Sequence, residues 1–528
     1  MIGTLAAFAL LWVTLILHDH SSTAVSVESL TFPLELPVVV LGLMLFRGWV
    51  LVAARTILAA ALVAIAMLRG ADLAAYAIFA RPFNPAVDGE LIPATVRLAA
   101  GTIGTPLTLL LCLLTVALIF VFALAVWWAT GRIAKLAPRR HRGRTWLRPL
   151  FLAALVLPLL DLGGVSVPFS AARTTRFSVQ HLQNAVEASE DLERLRIEAA
   201  RDPYIGTPPD DLLPALRGRD IVIIFVESYG RSALENPLYG PTVLARLAAG
   251  QEELAASGLV ARSGWLTAPT VGGQSWFAHG TLLAGVRVDS QARYGALIAS
   301  PRLNLLRLAQ RGGWESVAVM PGITMIWPEA QYFAYDIVLA AKDLGYAGEP
   351  FNWVTMPDQY TLAAFERMVL DQATRPPVIA QIALLSSHAP WTPIPPLIDW
   401  EEVGDGAIFS RWATTGESPQ ALWRDHDKVR AQYRAAIDYA LEAVLSFSAR
   451  QGHRAPLLVV LGDHQPAGFV AGEPASRDVP AHVIGPPDLV RYVTGWNWVE
   501  GLIPSGDAPV WPMEAFRDRF LAAFGSRP

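Results

Sequence analysis

Cysteine is nearly absent: Cys112 is the single one in 528 residues, and it lies within a long apolar run. No disulfide can therefore brace the polar two-thirds of the chain, which must rest on a core of its own; some 350 residues are ample for one. Charge imbalance is also small, with a net −4 that singles out no class of partner, and no nucleic acid is expected. No internal repeat or low-complexity tract is present. The paired halves usual in a secondary transporter are thus missing, and the apolar segments hold few charged residues. The amino terminus lacks a basic region, and His18-Asp19-His20 stands where a signal peptide has small residues, so this stretch reads as a retained helix.

Long apolar runs are what the first 165 residues do have. Overall 53% of residues are hydrophobic, but they concentrate in five candidate spans near 2–17, 32–46, 49–68, 102–129 and 149–165. A hydrocarbon core of about 30 Å takes roughly 20 helical residues, which favours the third and fourth. Asp161 weakens the fifth. Between the fourth and fifth lie seven basic residues, Arg132, Lys135, Arg139, Arg140, Arg142, Arg144 and Arg148, which mark a cytoplasmic segment. The fifth span then carries the chain outward, leaving everything after about residue 170 outside the cytoplasm. The organisation read from this pattern is a helical transmembrane bundle of about five helices over 1–165, an amphipathic linker over 166–215, and an outer domain over 216–528.

The outer domain alternates apolar strands with helical periodicity. Strands are expected at 221–226, 316–320, 377–385, 457–461 and 480–484. Helices are expected near 241–257, 275–284, 301–311, 358–371, 424–449 and 512–524. This alternation predicts an α/β domain with a mostly parallel central sheet. Buried parallel strands read as continuous Val/Ile/Leu runs, and ligands of such sheets bind beyond the strands' carboxyl ends. Here these ends carry Glu227-Ser228-Tyr229-Gly230, Ser387-His388 and Gly462-Asp463-His464-Gln465.

Each motif has an ordinary use. Glu227 could cap a turn, and Asp463 is a common turn residue. Together, each ending a buried strand, they form a plausible divalent-metal set with His464. In Gly272-Gly273-Gln274-Ser275-Trp276 the glycines allow close approach to a ligand, and the helix start adds a positive dipole end. Ser275 is therefore the candidate nucleophile, although serine more often simply caps a helix there. Metal coordination would lower its high pKa. Thr270 is its competitor, and Thr281 fits the helix interior. His388 suits holding a phosphate oxygen or moving a proton.

The order strand–Glu227, glycine turn–Ser275, strand–Ser387-His388, strand–Gly462-Asp463-His464 resembles the alkaline phosphatase/sulfatase superfamily, and within it the membrane-anchored lipoteichoic-acid-synthase-like group. The likeness spans nearly the whole chain. It implies an alkaline-phosphatase-like fold in which Glu227, Ser275, Asp463 and His464 bind one divalent metal, manganese or zinc, with magnesium also suited to these donors. Ser275 stands where the family has its nucleophile, usually threonine, and His388 at the substrate-binding histidine. Leu282-Leu283-Ala284-Gly285 is similar to the sulfatase Leu-Leu-x-Gly that follows the nucleophile.

The resemblance implies a metal-dependent phosphotransferase of the bacterial inner membrane, multi-pass, with a periplasmic catalytic domain. It would move a phosphoglycerol or phosphoethanolamine headgroup from a membrane phospholipid to an envelope glycan or lipid acceptor through a phosphoserine. The alternative is a phosphodiesterase, phosphatase or sulfatase-like hydrolase with water as acceptor. Phe277 and His279 occupy the positions where sulfatases carry proline and arginine, which argues against sulfatase chemistry. Trp327 sits where phosphoglycerol polymerases grip their substrate, but Pro328-Glu329 replaces the arginine that follows. The disulfides usual in lipid A phosphoethanolamine transferases are missing. Trp327, and Arg81 and Asn84 in the loop Arg81-Pro82-Phe83-Asn84-Pro85, are the further substrate-binding candidates. A non-catalytic scaffold is disfavoured by the intact Glu, Ser, Asp and His set.

Overall fold

A computed structural model describes residues 1–16, 31–79, 82–89, 91–138, 145–165, 170–472 and 476–526. The chain forms two compact units, Met1–Asp191 and Leu192–Pro528. Among the described residues of the first, two helices have the length and apolar composition to cross a membrane, Gly48–Tyr76 and Thr105–Ala134. Shorter apolar helices run over Ile2–Ile16 and Glu35–Leu45, and another over Leu147–Leu162. Their common core is small, with Leu11, Leu43, Leu62, Val126 and Ile133 at its centre. Asp161 is buried, where it accepts from the Ala172 amide at 3.0 Å and pairs with Arg176 at 3.1 Å. Of the basic segment, Arg139, Arg140, Arg142 and Arg144 lie outside the described residues.

The expected linker consists largely of one helix, Arg173–Ala200, which crosses the boundary between the units. The residues after it belong to the second unit. Asp202 there accepts from the fully buried Arg517 at 2.9 Å.

The second unit is built on a nine-stranded sheet. In chain order its strands are β1 Ile221–Val226, β2 Val260–Thr267, β3 Glu315–Met320, β4 Ile337–Ala340, β5 Val378–Leu384, β6 Leu457–Gly462, β7 Asp478–Gly485, β8 Val499–Glu500 and β9 Val510–Pro512. Spatially they run β8-β2-β7-β6-β1-β5-β3-β4, with β9 parallel to β2. The stretch from β6 to β4 is wholly parallel, and β7 is reversed between β6 and β2.

Side chains alternate across the central strand. Val222, Ile224 and Val226 enter one core, and Ile221, Ile223 and Phe225 enter the other. Helices Gly240–Ala256, Asp358–Phe365 and His426–Gln451 cover the first face, while Ser275–Ala284, Leu305–Arg311 and Ala515–Phe524 cover the second. Two-sided burial is why β1 and β6 read as unbroken apolar runs, and β5 as one interrupted only by the buried Gln381. Register then sets the site: Val226 pairs with Leu384 on one side and Gly462 on the other. Glu227, Leu385 and Asp463 therefore leave the sheet at one level.

Candidate active site

Two glycines let the strand ends converge. A Cβ at Gly462 would overlap the Tyr229 carbonyl, and one at Gly230 would overlap the Gln465 side chain. Ser228 takes a left-handed φ of 57°, and Gln274 one of 64°, at the two turns beside the site. Such backbone strain is concentrated where surrounding structure fixes a functional geometry. The glycine turn is pinned from below, because the Gly272 amide donates to the Gln465 carbonyl at 2.8 Å. Ser275 consequently opens helix Ser275–Ala284 facing the strand ends.

Periodicity explains the rest of the contact. Phe225 and Glu227 share one sheet face, and Ser275 and His279 share one helix face. The Ser275 hydroxyl donates to Glu227 Oε2 at 2.9 Å and lies 3.2 Å from His464 Nε2. One turn along, the His279 ring rests on Phe225 with centroids 4.0 Å apart. Burial lowers His279 to about 3, so its imidazole is neutral.

Glu227, Asp463 and His464 are buried, with candidate ligand atoms within 4.8 Å of one another. Asp463 Oδ1 accepts from the backbone amides of Ser228 and His464, at 2.8 and 2.7 Å. His464 Nδ1 donates to the Gln465 carbonyl at 2.8 Å, which turns Nε2 towards the carboxylates, 3.3 Å from Glu227 Oε1. No lysine or arginine pairs with either carboxylate among the described residues. Burial and the Glu227 charge raise Asp463, while His464 is lifted to about 9 because the two carboxylates outweigh its burial. Glu227 stays below the ordinary range because His464 and His388 together outweigh burial. Without another cation, a proton on His464 balances the pair. Glu227, Asp463 and His464 each offer one donor atom and together could hold a divalent cation, with the Ser275 hydroxyl beside them.

His388 follows β5 in a loop tied on several sides. Ser387 donates to the Glu227 carbonyl at 2.6 Å, and Trp391 donates to the Ser387 carbonyl at 2.6 Å. Asp358 Oδ1 accepts from the Leu385 and Ser386 amides at 2.8 and 2.9 Å. The Ser386 hydroxyl in turn accepts from the Asp358 amide at 2.9 Å. His388 Nδ1 donates to the Ala389 carbonyl, leaving Nε2 for proton exchange. The Trp353 ring stacks on the imidazole, centroids 4.1 Å apart and planes 25° apart. Asp358 and Trp353 escape a sequence reading. Asp358 looks like an ordinary helix-start acid after Pro357, and its partners lie 27 and 28 residues downstream.

The remaining candidates lie elsewhere. Thr270 donates to the Gly273 carbonyl at 2.9 Å and so holds the glycine turn. Thr281 is buried in the helix and accepts from the Val288 amide. Trp327 is half-buried beyond β3, its ring against Phe333 and Tyr335. Among the described residues no ring contact or hydrogen bond joins it to Ser275 or His388. Asn84, in the first unit, caps helix Pro85–Asp88 and donates to the Asn184 carbonyl at 3.1 Å. Arg81 lies outside the described residues.

No protein-family model and no curated protein sequence matches the chain. Some solved structures are loosely similar to it. The lipoteichoic acid synthase LtaP from Listeria monocytogenes is 13% identical over 56% of this chain and 71% of its own, with a TM-score of 0.37. The C-terminal periplasmic domain of EcEptC from Escherichia coli is 15% identical over 52% and 74%, with a TM-score of 0.34. The phosphoglycerol transferase GacH of Streptococcus pyogenes, solved with sn-glycerol-1-phosphate, is 10% identical over 62% and 78%, with a TM-score of 0.37. These superpositions are loose, and the chemistry of the site rests on this chain's own residues.

Proposed function

We propose that the chain is a membrane-anchored phosphotransferase that moves a phospholipid headgroup, phosphoglycerol or phosphoethanolamine, to an envelope glycan or lipid acceptor. The observation that carries this reading is the Ser275 hydroxyl held against Glu227 and His464 within a buried set that includes Asp463. The apolar helices Gly48–Tyr76 and Thr105–Ala134 support a membrane anchor, and the basic segment Arg132–Arg148 supports an outer location for the second unit. A donor that stays in the bilayer suits such an enzyme.

Glu227, Asp463, His464 and Ser275 would hold one divalent cation, which when bound lowers the hydroxyl pKa and offsets charge on the phosphoryl oxygens. Glu227 Oε2 orients the Ser275 hydroxyl by accepting its hydrogen bond, takes its proton as Oγ attacks, and returns it when Oγ leaves. Ser275 Oγ forms a bond to phosphorus as the bond from phosphorus to the diacylglycerol oxygen breaks. His388 Nε2, the free nitrogen of a ring fixed at Nδ1, supplies the proton to that oxygen. In the second half-reaction an acceptor hydroxyl attacks the phosphoserine, Ser275 Oγ leaves, and His388 Nε2 takes the acceptor's proton.

Mass spectrometry of the Ser275 peptide tests this, after incubation of the purified full chain with manganese and mixed phospholipid vesicles. The expected result is an adduct of phosphoglycerol or phosphoethanolamine mass together with released diacylglycerol. Diacylglycerol without an adduct in wild type, and undiminished in Ser275→Ala, would overturn the nucleophile. Free headgroup phosphate as the sole final product, with acceptor present, would make water the acceptor.

A further inference from the structure

Among the half-exposed side chains at the rim, Trp353 is placed by a device of its own. Phe351 and Val354 bridge each other through both backbone pairs, at 2.8 and 3.0 Å, which closes a tight turn around Asn352-Trp353. Asn352 takes a left-handed φ of 56° and donates its side-chain amide to the Thr392 carbonyl at 2.6 Å. The turn is thereby fastened to the chain just past His388, and the indole is laid on the imidazole face. Yet Trp353 remains 45% exposed, and His388 is its only ring contact among the described residues. No hydrogen bond engages its indole N–H among them. Trp276, next to the nucleophile, differs in this respect, since its N–H donates to Gln291.

An indole with one face supported, and with open surface and a free donor beside it, is amphipathic. A lipid acyl chain would leave the donor unmade, and a phosphate would find no positive charge on the ring. The C–H face of a sugar, with hydroxyls at its edge, satisfies both. We propose that the Asn352-Trp353 turn is the acceptor subsite and that it takes a sugar ring. This rests on the transferase reading above. With the ring seated there, a sugar hydroxyl lies beside His388 Nε2. The hydroxyl oxygen bonds to phosphorus, its proton passes to Nε2, and the Ser275 Oγ–phosphorus bond breaks.

Saturation-transfer NMR on the full chain in a zwitterionic detergent, with methyl β-glucopyranoside as probe, measures the subsite without turnover. Wild type should pass saturation to the sugar's C–H protons. Trp353→Ala should lose the signal while keeping the wild-type melting profile, and Trp353→Phe should keep part of it. In turnover with phospholipid vesicles, Trp353→Ala should raise the KM for a glycan acceptor about tenfold, with a smaller change in kcat. No sugar signal in wild type, or one unchanged in Trp353→Ala, would overturn the subsite. Sugar binding that depends on Trp353, in a protein that never forms phosphoserine, would instead sink the transferase reading and leave the subsite standing.

Discussion

The two sides of the rim are held in opposite ways. On the cluster side Glu227, Asp463 and His464 are buried and each has a second partner: Asp463 takes two amides, His464 is fixed at Nδ1, and Glu227 holds Ser228 and the half-buried Ser275. On the other side His388 is half-exposed, Trp353 more so, and their support comes from one layer further back, at Asp358, Ser387 and the Asn352 turn. Strong fixing suits groups that hold a small cation and a nucleophile in unchanging geometry. Looser fixing suits groups that meet substrates arriving and leaving. The contrast predicts that substitutions on the first side abolish chemistry, while those on the second change its partners or its rate.

The largest effects belong to the cluster. Ser275→Ala should lower transfer by roughly 10³-fold or more while elemental analysis still finds most of the metal. Asp463→Asn or Glu227→Gln should lose activity and metal together, since each leaves a ligand atom poorer in charge. A Ser275→Ala protein with full activity would move the nucleophile elsewhere and break the contrast at its strongest point.

Metal affinity should depend steeply on pH. The carboxylates lift His464 to about 9, so below that value a cation must displace its proton. Affinity therefore rises with pH and falls as pH drops, by about tenfold per pH unit for one displaced proton. Titration calorimetry with manganese at several pH values measures the slope. A flat profile would mean that His464 is already neutral in the folded protein.

Much of the cluster was legible in the sequence, because each member ends or begins an element with a strong local signal. Val226-Glu227 and Leu461-Gly462-Asp463 follow unbroken apolar runs, and Gly272-Gly273 announces a turn. The supporting side was not legible. Asp358 and Trp353 act through tertiary contacts with the loop after β5, and nothing local distinguishes them from a helix-start acid and an exposed aromatic. The sheet shows the same division. Strands β1, β3, β5, β6 and β7 were expected, whereas β2, β4, β8 and β9 were not. β2 carries Arg262, Ser263 and Gly264 in mid-strand, and it is held there by antiparallel pairing with β7.

Asp358 offers a milder test of the supporting side. Burial raises its carboxyl to about 6, against the Leu385 and Ser386 amides that pull it down. With the folded value above the unfolded one, its stabilising proton is fully bound below about pH 4 and lost as pH rises through about 6. The gap of about two units is worth up to about 3 kcal/mol. Asp358→Asn keeps the Oδ1 acceptor and does not titrate. Its stability relative to wild type should therefore improve by up to about 3 kcal/mol between pH 4 and pH 7. Denaturant unfolding at both values would detect this, and a constant difference would show that the group does not titrate there.

Trp327 should give the smallest effect on chemistry. Its position beyond β3 and the motif pattern favour contact with substrate, whereas its packing on Phe333 and Tyr335 favours a role in the core. Aromatic pairs of this kind contribute about 0.5–1.5 kcal/mol beyond area burial. If packing is its main work, Trp327→Ala should lower the melting temperature by several degrees and change the donor KM by less than about threefold. Trp327→Phe, which retains a ring for the stack, should recover most of the stability. A donor KM that rises with no loss of melting temperature would instead extend the substrate side of the rim as far as β3.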